Sequence, residues 1–169
     1  MSLFQNIIII MLLIAGAGFL SLSEIALAAA RKVKLKILAE SGEIRAQKVL
    51  DLQEQSADFF AASQIGLNAV AILGGILGEA AFRPFFVELI VQSYRGPWLE
   101  TIGFALSFTM VTSLFILFAD LMPKRLAMIA PEKIAISVIE PIQIFIRICK
   151  PLAWGINAIA NVLFRLFKV

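Results

Sequence analysis

Histidine is missing altogether from this sequence, and cysteine occurs once, at Cys149. The first absence removes the commonest general base and the commonest transition-metal ligand. The second excludes an intrachain disulfide and a thiolate metal cage. Charge is scarce too: Asp, Glu, Lys and Arg make up 16% of the 169 residues, against 60% that are hydrophobic. A soluble domain of this length carries more charge, so the chain is expected to reside mostly in lipid. The net charge of +3 is too small to point to nucleic acid. No glycine-rich phosphate loop, low-complexity tract or internal repeat is present, so the chain is not expected to hydrolyse ATP itself. An intramembrane serine protease would need a histidine or lysine inside a span, and an aspartyl protease a second aspartate there. Neither is found, and no enzyme is expected.

Three apolar segments reach the roughly 20 residues needed to cross a bilayer: about 3–30, 59–82 and 101–122. The first lacks a basic leader region and runs straight into helical sequence, which reads as a retained span. Between the first two, Arg31 to Asp58 reads as a cytoplasmic helical hairpin with Gly42 as a helix stop. Its basic residues are Arg31, Lys32, Lys34, Lys36, Arg45 and Lys48. The second connection holds only Arg83 and Arg95 against Glu88 and Glu100, and Lys124, Arg125 and Lys133 follow the third span. The positive-inside rule then places the N-terminus outside and the C-terminus in the cytoplasm.

Residues 1–133 form the expected transmembrane core, and 134–169 are organised differently. Glu140, Gln143, Arg147 and Lys150 share one helix face, and the pattern resumes after Pro151 with Asn157, Asn161, Arg165 and Lys168. Two amphipathic helices broken by proline would form a juxtamembrane belt at the inner membrane surface. The rival is a fourth span, which would sink Arg147 and Lys150 deep into lipid. The expected fold class is therefore an all-α membrane protein: three transmembrane helices, a cytoplasmic helical hairpin and a C-terminal juxtamembrane amphipathic belt.

Polar side chains within spans are costly, which makes them functional suspects. In the first span, Ser21 and Glu24 share a face while Ser23 points elsewhere, and Gly16 and Gly18 permit a neighbour's close approach. The plain alternative is that the serines bond back to their own helix and Glu24 snorkels toward the basic stretch. In the second span, Gln64 and Asn68 are four apart, and Gly74 and Gly78 form a GxxxG, read as tight packing within or across a dimer. Asn68 needs either an interhelical hydrogen bond or a ligand. In the third span, Thr109, Ser113 and Asp120 fall on one stripe, and Pro123 releases the oxygen of Ala119 from the helix ladder. The plain alternative here is an Asp120–Lys124 pair at i and i+4.

At about 1.5 Å per helical residue, Ser23 lies roughly 12 Å from Arg31, Asn68 about 15 Å from Asp58, and Asp120 roughly 6 Å from Lys124. All fall in the inner half of the membrane. Oxygen groups from three helices can converge there, a donor set suited to Mg²⁺, Ca²⁺ or Na⁺ rather than zinc or copper.

The stretches "FLSLSEIAL", "QIGLNAVAILGG" and "ADLMPKRLA", in three successive spans, together resemble the CNNM/CorC family of membrane domains over nearly the whole chain. That resemblance implies a homodimeric cation transporter of three spans and a juxtamembrane belt, followed by cytosolic CBS domains that bind ATP. It implies export of Mg²⁺ coupled to Na⁺ entry, with no organic cofactor in this chain. The family's ion site maps onto Ser21, Asn68 and Asp120, with the Ala119 oxygen beside them, although members more often carry Gly-Glu where this chain has Ala119-Asp120. CBS domains are absent, so the sequence looks like an excised or truncated membrane domain. It is also similar to a bacterial branch associated with polyamine export, which implies the bacterial inner membrane as its location. For an organic dication, Glu24 or Glu79 would join Asp120; Ser23, Gln64, Thr109 and Ser113 are further candidates for a substrate or Na⁺ site. A reading from another class is a non-transporting dimeric membrane anchor or regulator.

Overall fold

A computed structural model describes residues 3–92 and 94–166. Seven α-helices and one π-helical segment account for nearly all of them: α1 Leu3–Ala29, α2 Lys32–Glu40, α3 Ile44–Glu54, α4 Ser56–Val91, α5 Leu99–Leu114, the π segment Phe115–Leu121, α6 Met122–Ile129 and α7 Pro131–Leu166. Three stretches, Phe4–Ala29, Phe59–Val91 and Leu99–Ile129, are long and apolar enough to cross a membrane. The second and third run past the boundaries expected from hydropathy. Pro84 lies inside α4 without ending it, because a helix among apolar neighbours tolerates a proline by local adjustment.

The chain divides into two compact units, residues 1–21 with 68–125, and residues 22–67 with 126–169. In the first unit the glycines set how closely helices approach. A Cβ on Gly74 would meet the Phe115 ring, and one on Gly78 would meet the Val111 side chain. The GxxxG is thus spent within the protomer, packing α4 on α5 and the π segment. Gly75, by contrast, has nothing within 4 Å of where its Cβ would stand.

In the second unit, α2 and α3 form the expected hairpin. Gly42 has φ of 100°, and its N–H bonds to Ala39 O while that of Glu43 bonds to Leu38 O, each at 3.0 Å. This double closure is a Schellman ending, which requires the left-handed conformation that glycine adopts freely. Glu43 then accepts from the Arg45 N–H to start α3. Leu35 from α2 and Ala46, Val49 and Leu50 from α3 are buried, and α3 packs against both α2 and α7. The Gln53 side-chain amide donates to Leu27 O at 2.8 Å and Ala30 O at 2.9 Å, capping the C-terminal end of α1.

α7 corrects the expectation of two belt helices, since it continues through both Pro141 and Pro151. Its buried face carries Ala135, Val138, Ile139 and Ile142, the 3–4 spacing of an amphipathic helix. That packing holds the helix together across Pro141, and α7 also continues past Pro151, which contributes no N–H to the helix ladder. Glu140 and Arg147 stand exposed on the expected polar stripe. Asn157, Asn161, Arg165 and Lys168 lie outside the residues whose side chains are described.

Candidate functional site

The third span changes register over Phe115–Leu121, where it becomes π-helical. A π turn bonds each N–H to the carbonyl five residues back, and the Met122 N–H accordingly reaches Leu117 O. The next donor in that register would come from residue 123, which is proline and has no N–H. The oxygen deprived of its register partner is therefore Phe118 O, one residue earlier than the Ala119 O of a regular α-helix. A Cβ on Gly18 of α1 would stand 3.3 Å from Phe118 O and 3.3 Å from Pro123 Cγ. Lacking one, Gly18 lets α1 close against the altered turn.

Ser21 lies one turn further along α1 and is fully buried. Its hydroxyl donates to Asp120 Oδ1 at 3.1 Å and stands 3.5 Å from the Asp120 main-chain oxygen. Lys124 Nζ lies 2.5 Å from the same Oδ1, across the junction between the π segment and α6. The Asp120 side chain nevertheless keeps 46% of its surface exposed. The result is a half-open carboxylate, oriented by one buried hydroxyl and neutralised by one primary ammonium.

The other expected site residues divide. Asn68 is exposed on α4, and no hydrogen bond joins it to Ser21 or Asp120. Ser113 donates to Thr109 O at 2.7 Å, the plain helix-bonding role. The π turn also moves Asp120 off the stripe that a regular helix would have shared with Thr109 and Ser113. Glu79 is buried and pairs with Arg83, whose guanidinium carbon lies 5.5 Å from the Phe104 ring centroid. Gln64 donates to Glu24 at 3.3 Å, and Ser23 is buried in the same unit. Among the described residues no group of three His, Cys, Asp or Glu side chains is placed to hold a metal ion.

Sequence reasoning missed a second carboxylate centre in the other unit. Glu132, in the first turn of α7, accepts from Arg31 Nε and Lys34 Nζ, each at 3.1 Å. Burial raises its pKa, but the hydrogen bonds from Arg31 and Lys34 outweigh that and hold it lowered to about 2. The available signal was an acidic residue at a helix start in an otherwise basic neighbourhood.

A family profile described as Cyclin M transmembrane N-terminal domain matches residues 8–169. The polyamine export protein of Escherichia coli (strain K12) is 52% identical over 165 residues, covering 98% of this chain and 37% of that protein. The polyamine export protein of Salmonella typhimurium (strain 14028s / SGSC 2262) is 54% identical over the same shares of the two chains. That of Haemophilus influenzae is 44% identical over 169 residues, or 100% of this chain and 39% of the relative. The chain thus spans less than two-fifths of the length of these relatives.

Proposed function

We propose, for a chain that belongs to the cyclin M transmembrane domain family, that it is the membrane part of a polyamine exporter and that Asp120 receives one ammonium of the substrate. The observation that carries this reading is the Lys124 ammonium at 2.5 Å from Asp120 Oδ1. A carboxylate that already holds a primary alkylammonium has the charge and acceptor geometry for that group on a diamine. An ammonium needs only acceptors, and the Asp120 carboxylate supplies them within the third apolar stretch, where charge pairing is screened less than in water. Relatives 52% and 54% identical bear the name polyamine export protein. Insertion in a bacterial inner membrane with the N-terminus outside, a homodimer, cytosolic domains that follow and Na⁺ as coupling ion belong to the same proposal.

Mg²⁺ export is the second reading, favoured by the oxygen-only donors around Asp120. Mg²⁺ keeps several waters and binds through one or two carboxylates, so Asp120 alone would have to hold a hydrated ion. Isothermal titration of the purified chain in nanodiscs with putrescine, cadaverine, Mg²⁺ and Na⁺ separates the readings. Saturable diamine binding is expected. Binding of Mg²⁺ without diamine would move the assignment to metal export, and binding of no cation would favour a dimeric anchor or regulator.

A further inference from the structure

Resting on that reading of Asp120, we propose that Lys124 is a tethered competitor of the substrate: its ammonium occupies Asp120 while no cation is bound, and an entering cation must displace it. The two donors on this carboxylate have different freedoms. Ser21 is fully buried and fixed on α1, whereas the Lys124 side chain is 36% exposed at the end of a flexible four-carbon stem. Both address the same oxygen, Oδ1, at 3.1 Å and 2.5 Å. Ser21 can stay in place while Lys124 swings out.

Tethering makes the competition effective. Pro123 is buried and precedes Lys124 directly, so its fixed φ keeps the stem rooted within one turn of the carboxylate. An intramolecular partner acts at an effective concentration in the millimolar range or above, so it raises the apparent dissociation constant of every free cation that needs Asp120. A monovalent cation exchanges one charge for one, while a diamine or divalent cation brings a second charge to the exchange. Lys124 therefore also raises selectivity against the abundant monovalent ions.

The test measures binding by the chain in nanodiscs with putrescine, Mg²⁺ and butylamine, for wild type, Lys124→Met and Lys124→Arg. Lys124→Met should bind the wild-type cation about three- to tenfold more tightly, and butylamine binding should appear. Lys124→Arg keeps the charge and should stay near wild type. In the wild-type chain, reductive ¹³C-methylation keeps the lysine charge, and the resonance missing from Lys124→Arg identifies Lys124. That resonance should shift when putrescine or Mg²⁺ saturates the site. Unchanged or weaker binding by Lys124→Met, or an unmoved Lys124 resonance at saturation, would overturn the competitor role. If Asp120→Asn still binds cations, the site itself is misplaced; if it loses binding while Lys124→Met matches wild type, the site stands and only the competitor falls. No cation binding by either wild type or Lys124→Met would overturn both.

Discussion

Glu132 and Asp120 both accept from a part-exposed lysine ammonium, yet they differ in their own burial and in how their donors are shared between the carboxylate oxygens. The Glu132 side chain is 4% exposed and takes Arg31 and Lys34 at 3.1 Å each, one on either oxygen. The Asp120 side chain is 46% exposed, and its two donors crowd a single oxygen. A carboxylate out of water is committed to its two cations, because losing them would leave its buried charge unpaired, whereas Arg31 and Lys34 themselves are largely exposed. A half-exposed pair gains little from staying closed, so it can exchange its cation. The first arrangement joins α1's end and α2 to α7; the second leaves its carboxylate half open.

The largest expected effect tests the open carboxylate. Asp120→Asn keeps the shape and removes the charge, so it should weaken cation binding about a hundredfold or more in titration. Its melting temperature should barely move, since exposed pairs contribute about 0–1 kcal/mol. Retained binding would erase the contrast with Glu132. Glu132→Gln should do the reverse, costing about 1–2 kcal/mol of stability and lowering the melting temperature by several degrees, with cation affinity kept. A loss of binding in that variant would mean that the clasp also serves the site.

The third test uses pH. The folded pKa of Glu132 is lowered from the ordinary 4.5 to about 2. Its stabilisation is therefore complete above pH 4.5 and lost as pH falls toward 2. Thermal melts across that window should show the slope in wild type and a flatter curve in Glu132→Gln. The smallest effect belongs to Ser21→Ala, which removes one neutral donor from Asp120 and should weaken binding by about three- to tenfold. An effect as large as that of Asp120→Asn would make the hydroxyl a direct ligand of the cation rather than a guide for the carboxylate.

Much of this was legible beforehand for identifiable reasons. Gly42 ends α2 as expected because the left-handed turn needs a residue without a Cβ. Ser21 and Asp120 were singled out by their cost in lipid, and they do meet. The Gly74 and Gly78 spacing marked a close contact, but spacing alone does not say whether the partner is another chain or the Phe115 and Val111 side chains of the same one. The expected break at Pro151 follows from its missing N–H, yet the lost bond does not end α7, which runs on to Leu166.

Length, hydropathy and spacing by themselves determined three spans, a basic hairpin with its stop, and the amphipathic pattern of the C-terminal segment, because each depends on residues near one another in the chain. Pro123 likewise announced that a carbonyl would lose its donor, since proline lacks an N–H in any register. Which carbonyl it would be was decided only by the tertiary structure. The wider π turn over Phe115–Leu121 transfers the loss from Ala119 to Phe118, and Gly18 on a distant stretch of chain provides the space against that oxygen. The same holds for the carboxylates. The place of Asp120 in an apolar span marks it locally, but its openness and the clasp on Glu132 come from their different burial and from the cations of Lys124, Arg31 and Lys34 that reach them.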